Sequence, residues 1–244
     1  MEEVEEARYE RQLLLPAFAE GGQERLRDAS VLVVGAGGLG SPVLLYLAGA
    51  GIGSVEVIDD DTVAVSNLHR QVLHTLHDVG KPKSLSAENK LVARAGDLVS
   101  VRSHQRRLTE ELARRVFPSF DLVVDATDNF ETRYLVSDVA AEVGVPVVWG
   151  AVHGFDAQVS VFMDGLTLRD VHPSPPRAPS GASPDLGAPA ALPAVGPLVG
   201  QAGCVMAMEA LKVLGGFGDP LVGRLLVIDA FDARFYELPV AKRP

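Results

Sequence analysis

Apolar positions follow two rhythms over the first 150 residues. Short apolar runs at Val31–Val34, Val55–Ile58, Leu122–Val124 and Val145–Trp149 alternate with stretches in which apolar residues recur every three or four positions. Short runs rich in β-branched residues mark strands buried on both faces, and the longer spacing marks helices with one apolar stripe. Val99–His104 reads as one more strand. The helical spacing covers Ser41–Ala50, Lys83–Ala95, Leu108–Phe117 and Glu131–Val143, the third with Thr109 as candidate cap before Glu110 and Glu111. Strand and helix therefore alternate, which predicts an α/β fold: a Rossmann-like, mostly parallel sheet flanked by helices.

The pattern changes after Gly150. Gln158–Phe162 alternates like a strand with one open face, Leu198–Leu214 is helical and stops at Gly215-Gly216, and Arg224–Ile228 and Arg234–Leu238 read as a C-terminal antiparallel β section. Between them, residues 173–197 hold 8 of the 16 prolines, so no core element is expected there and the stretch reads as a long proline-rich loop. The chain divides into an N-terminal helical segment (1–30), an α/β region (31–150) and a C-terminal section (151–244) with an irregular loop over 170–197, all within one structural domain.

Bulk properties narrow the function. A chain of 244 residues with 47% hydrophobic and 22% charged residues is globular in composition, and its formal net charge of −10 makes nucleic acid and anionic membranes poor partners. No uncharged apolar run reaches the length of a membrane span, and the acidic start Met1–Glu6 is no signal peptide. A single cysteine, Cys204, forbids an internal disulfide and a four-cysteine zinc site; a cytoplasmic location is expected.

The chemistry gathers at the predicted strand ends. Gly35-Ala-Gly37-Gly38-Leu-Gly40 stands between the first strand and its helix, where glycines admit a tight turn and the first helical amides face an anion. Asp59, nineteen residues after Gly40, suits the ribose hydroxyls of a nucleotide; Asp61 suits sugar or metal. Arg70 and Lys83 can neutralise phosphate charge and Asn67 can donate to a phosphate oxygen. A dinucleotide's pyrophosphate needs no such cations, whereas a triphosphate does. Asp128, at the end of the fourth strand, suits magnesium, with a helix cap as its alternative role, one that Asn129 could fill instead. Arg133, one turn on, is placed to face the same cleft.

Together these strings resemble the MoeB/ThiF/HesA family, whose relatives include the adenylation domains of ubiquitin-activating enzymes. The resemblance rests on Arg8-Tyr9-x-Arg11-Gln12, Gly35-x-Gly37-Gly38-Leu39-Gly40, Asp59-x-Asp61-x-Val63, Ser66-Asn67-Leu68-x-Arg70-Gln71, Gly80-x-x-Lys83 and Asp125-x-Thr127-Asp128-Asn129, and spans residues 8 to about 238. It implies a homodimer using ATP and Mg2+ to adenylate the C-terminal glycine of a ubiquitin-like sulfur-carrier protein ending in Gly-Gly. The carrier's carboxylate would attack the α-phosphorus and release pyrophosphate, and a separate sulfurtransferase would convert the acyl-adenylate to a thiocarboxylate. By the same resemblance Arg11 is an arginine finger reaching the neighbouring subunit's site. Asn67, Arg70 and Lys83 bind phosphates, Asp59 binds ribose, and Asp128 binds magnesium. Gly35, Gly37, Gly38, Gly40, Asp61, Gln71 and Asn129 complete the nucleotide site.

The chain departs from the family in two places. Around Arg169–Pro175 and after Leu238 it lacks the cysteine pairs that hold zinc in many members, so no zinc is expected. Residues 173–197 lack the reactive cysteine of other members, and Cys204 sits in an apolar helical sequence that predicts a buried thiol. Adenylation without a thioester follows, with the proline-rich loop draped over the carrier's tail. Alternative readings are a non-catalytic dimeric scaffold of the same fold and an NAD-binding oxidoreductase, which explains Asp59 but leaves Arg70, Lys83 and Asp128 without a role.

Overall fold

A computed structural model describes residues 2–175 and 193–243. The proposed draping of the proline-rich stretch concerns residues 176–192 and lies outside them. Three helices open the chain, α1 (Glu2–Leu13), α2 (Pro16–Ala19) and α3 (Gly22–Asp28). The alternating part follows: β1 (Ser30–Val34), α4 (Gly40–Ala50), β2 (Ser54–Ile58), α5 (Lys83–Ala95), β3 (Ser100–His104), α6 (Glu110–Val116), β4 (Leu122–Asp125), α7 (Phe130–Val143) and β5 (Val147–His153). The rest is β6 (Asp156–Phe162), α8 (Leu168–Val171), α9 (Gly196–Gly215), β7 (Arg224–Asp229) and β8 (Arg234–Pro239).

All eight strands form one sheet in the order β3-β2-β1-β4-β5-β6-β7-β8. The first five are parallel, and from β5 onward each neighbour is antiparallel. The mostly parallel, helix-flanked sheet read from the sequence is the one observed. Chain order reverses between β1 and β4, and in such sheets the crevice at the carboxyl ends beside that switch is where ligands bind.

Each face of the sheet carries a core. On one, Val31, Val33, Val55, Val57, Val124 and Val148 pack with Leu44 and Leu47 of α4, Leu91 of α5 and Met206 of α9. On the other, Leu32, Val34, Val123 and Trp149 pack with Phe117 and with Val136 and Ala140 of α7. This two-sided burial is why the strands read as continuous apolar runs. Helix α9 is long and apolar enough to cross a membrane by length and composition, yet most of it is buried against α4, β5 and β6.

Several boundaries differ from the sequence reading. Strand β5 runs on to His153 because it pairs with β6 as a hairpin, from Val147↔Phe162 to His153↔Asp156. The irregular segment expected over 170–197 gives up both ends. Residues up to Val171 belong to α8, and α9 begins at Gly196 with Pro197 in its first turn, where a missing N–H costs nothing. Thr109 caps α6 as expected, accepting the Leu112 N–H at 3.2 Å. Cys204 corrects the sequence reading: its thiol is exposed on α9, not buried.

Candidate nucleotide site

A cleft of about 660 Å3 opens at the carboxyl ends of the parallel strands, a volume suited to a small-molecule ligand. Its floor is the turn between β1 and α4. Gly35 takes a positive φ of 99°. A side chain on Gly40 would meet the Gly35 carbonyl at 2.0 Å, so the helix starts hard against the end of the strand. Ser41 ties the turn down by donating from its hydroxyl to the Gly37 carbonyl at 2.7 Å. Gly35, Gly37 and Gly38 line the cleft. Gly40 is not among the lining residues; its place is the close strand–helix contact.

Four strand ends supply the walls. After β2, the Asp59 carboxylate accepts the Ala36 N–H at 2.7 Å and the Asp61 N–H at 2.8 Å, which aims it at the glycine turn. Burial pushes the Asp59 carboxyl above its ordinary range, while the Ala36 amide, Lys83 and the Asp61 amide pull it back. Asp61 is exposed and pairs with the buried ammonium of Lys83 at 2.7 Å. Lys83, the first residue of α5, is thus held at the cleft wall with its charge directed at a carboxylate that solvent already screens. Arg70 lines the cleft and donates to the Ser66 carbonyl at 3.2 Å. Gln71 is buried beside Gly37, and its Oε1 has no hydrogen-bond partner among the described residues.

The end of β4 carries the other acid cluster. Asp125 is fully buried and accepts both the amide and the hydroxyl of Thr127, at 3.0 and 2.7 Å. Burial raises its carboxyl, opposed by Arg133 and Thr127. Arg133 is buried on α7 and donates to the Thr127 carbonyl at 2.8 and 3.2 Å. Burial lowers its affinity for the proton, against the smaller opposing effect of the Asp125 and Asp128 charges; a guanidinium stays charged even so. Asp128 and Asn129 line the cleft, both exposed. Asn129 caps α7, accepting the Thr132 N–H at 2.9 Å, so Asp128 is free of that task.

Two candidates besides Gly40 lie outside the lining. Asn67 does not line the cleft; its Oδ1 accepts the Ala64 N–H at 3.3 Å and closes the short turn Val65–Asn67. Arg11 is exposed in the last turn of α1, outside the cleft. Conversely, Arg106, Arg107, Arg133, Thr132, Val152 and Val199 line the cleft, and of these only Arg133 was singled out by sequence reasoning. Arg106 and Arg107 follow β3 as Asp59 follows β2, and position after a strand end was the available signal. Among the described residues no group of three or more His, Cys, Asp or Glu is arranged to hold a metal.

Comparison with known proteins gives the same picture. A sequence profile described as the ThiF family matches residues 9–244. The chain is 51% identical to the sulfur carrier protein adenylyltransferase of Thermus thermophilus, covering 97% of this chain and 88% of that protein. It is 42% identical to the SAMP-activating enzyme E1 of Haloferax volcanii, covering 97% and 86%. Against the probable adenylyltransferase/sulfurtransferase MoeZ of Mycobacterium tuberculosis it is 44% identical, covering 98% of this chain but 61% of MoeZ. The fold matches crystal structures of E. coli MccB (TM-score 0.83, 22% identity, 97% of this chain and 70% of MccB) and of PaaA (TM-score 0.82, 24% identity, 98% and 74%).

Proposed function

This chain belongs to the ThiF family and is an adenylyltransferase, and on that premise we propose that it uses ATP and Mg2+ to adenylate the C-terminal glycine of a ubiquitin-like sulfur-carrier protein ending in Gly-Gly. The observation that carries this reading is the set of cations in the cleft: Arg70, Lys83, Arg106, Arg107 and Arg133 line the same cleft as the glycine turn. The two charges of a dinucleotide's pyrophosphate need far less, whereas a triphosphate that sheds pyrophosphate in its transition state uses all of it. The names of the Thermus and Haloferax relatives support the choice of acceptor.

In this reading Asp59 receives the ribose hydroxyls while it keeps the Ala36 and Asp61 amides, since each carboxylate oxygen has lone pairs to spare. The turn amides, Arg70 and Lys83 meet the phosphates. Gln71 has its amide nitrogen beside Gly37, and its unpartnered Oε1 can accept a donor that enters with the ligand. Asp128 fits magnesium: an exposed carboxylate relieved of helix capping, beside a phosphate site, is the single protein ligand that such an ion usually asks for. When bound, the ion neutralises charge on the phosphate oxygens. The protein's own part is to set the carrier's carboxylate in line with the α-phosphorus and to hold cations where pyrophosphate departs.

The carrier's carboxylate is the nucleophile, so no enzyme thiol is needed. Cys204 does not line the cleft. Sulfur enters afterwards, delivered by a separate sulfurtransferase to the acyl-adenylate. Arg11, outside its own cleft and exposed on α1, serves the neighbouring subunit of a homodimer. ATP–pyrophosphate exchange with a panel of Gly-Gly-ended carriers tests the reading: exchange that depends on one or more carriers supports it. ATP binding without exchange would leave the scaffold, and binding of NAD in place of ATP would leave the oxidoreductase.

A further inference from the structure

A buried histidine touches the glycine turn from outside the cleft. His74 lies on the segment between β2 and α5 and is 5% exposed. Its Nε2 is 2.8 Å from the Ala36 carbonyl oxygen and its Nδ1 is 2.9 Å from the Ser86 hydroxyl. A carbonyl can only accept, so Nε2 carries the proton; Nδ1 then takes the hydroxyl's proton, and the ring is neutral with both nitrogens satisfied. Burial also disfavours the charged ring. Lys83 does so too, against the opposing effect of the Ala36 bond, Asp78 and Asp59, which are the charged groups around it.

Ala36 is held on both sides. Its N–H donates to Asp59 and its carbonyl accepts from His74. A trans peptide is planar, with its N–H directed opposite to its carbonyl. Fixing the Ala36 carbonyl on His74 therefore directs the Gly37 N–H the other way, and Gly37 lines the cleft. We propose that His74 is a positioning residue of the nucleotide site, which, locked by Ser86, sets the Ala36–Gly37 peptide so that the glycine-turn amide meets phosphate. The inference rests on the cleft being the ATP site, and it concerns the phosphate end of the ligand alone.

The test compares ATP with adenosine, binding each to the full chain by calorimetry, alongside pyrophosphate exchange. His74→Phe keeps the ring volume and removes both hydrogen bonds. His74→Gln restores a donor that reaches the Ala36 carbonyl. Ser86→Ala keeps the ring and frees its Nδ1. The expected result is a loss of about tenfold in ATP affinity for H74F, with adenosine affinity unchanged, most of it regained in H74Q, and a loss of about threefold in S86A. The inference is overturned if H74F and S86A bind ATP as the wild type does. It is equally overturned if they lose ATP and adenosine in equal measure, or if H74Q is no better than H74F. Absence of ATP binding and exchange in the wild type would instead remove the parent reading, and this one with it.

Discussion

At the scale of single residues, the cleft spends buried charge and buried polarity on orientation. Lys83 illustrates it: a buried ammonium is held by an exposed carboxylate, so its direction is fixed while its field remains available to a ligand. Lys83→Ala is expected to lower kcat/KM for adenylation on the order of a hundredfold, read by pyrophosphate exchange, because an oriented cation is removed from the developing charge. The pH dependence also has a definite sign. The fold depresses the affinity of His74 for its proton, so its contribution to stability is complete above the ordinary histidine range and is lost as the pH falls through that range toward the lower folded value. Asp59 and Asp125 are shifted the opposite way, upward by burial, and they favour the fold as protons return in the carboxylate range. Melting temperature should accordingly fall between about pH 6.5 and pH 5, with a shallower slope in H74Q. No pattern along the chain points to His74, since a lone histidine between two elements carries no period. Asp59, by contrast, was legible because its distance from a glycine turn is fixed by the length of one strand–helix–strand unit.

Between elements, α9 is the part to perturb. It lies across α4 and the sheet, and it forms one wall of the cleft through Val199, whose methyl would stand 2.6 Å from a side chain on Gly38. One turn on, a side chain at Gly203 would meet Pro42 at 2.4 Å and the Leu39 carbonyl at 2.7 Å. Gly203→Val is expected to cost about 1–3 kcal/mol by overpacking, measured by denaturant unfolding, and to weaken ATP binding by displacing the wall. The exposed face of the same helix explains the error over Cys204. Val205, Met206, Ala207 and Met208 look apolar in line, but Cys204 shares its side of the helix with Met208, and both are exposed. Composition names neighbours along the chain, whereas burial depends on which side faces the sheet. Cys204→Ser should leave exchange at the wild-type rate, and no thiol-sensitive adduct with the carrier should appear on a nonreducing gel. The parallel strands were readable for the converse reason: buried on two sides, they need no phase. The hairpin extension of β5 to His153 was not, because that pairing is imposed by β6.

For the molecule as a whole, one sheet joins the cleft to a C-terminal edge. Strand β8 is exposed along its length, with Phe235, Tyr236 and Leu238 open to solvent. The proposed homodimer makes a prediction that no single chain can satisfy. Arg11→Ala and Asp128→Ala should each be nearly inactive in exchange. Mixed in equal amounts and allowed to reassort, they form a hybrid in which one site has both its own Asp128 and its neighbour's Arg11. About a quarter of the wild-type activity should then return, since half of the dimers are hybrids and each has one intact site.

The order of strands also sets a timetable. The cleft takes residues from Val34 to Val199, and its central partners β1 and β4 are separated by the whole β2–β3 excursion. During synthesis a ribosome-bound fragment ending near residue 150 has its glycine turn but neither Val152 nor α9 to close the pocket. Contacts so distant along the chain form late. If the cleft is the ATP site, a nascent polypeptide therefore emerges without a closed pocket, and competence waits for α9. Stalled chains of increasing length should show that threshold as an abrupt onset of ATP retention once α9 has left the exit tunnel.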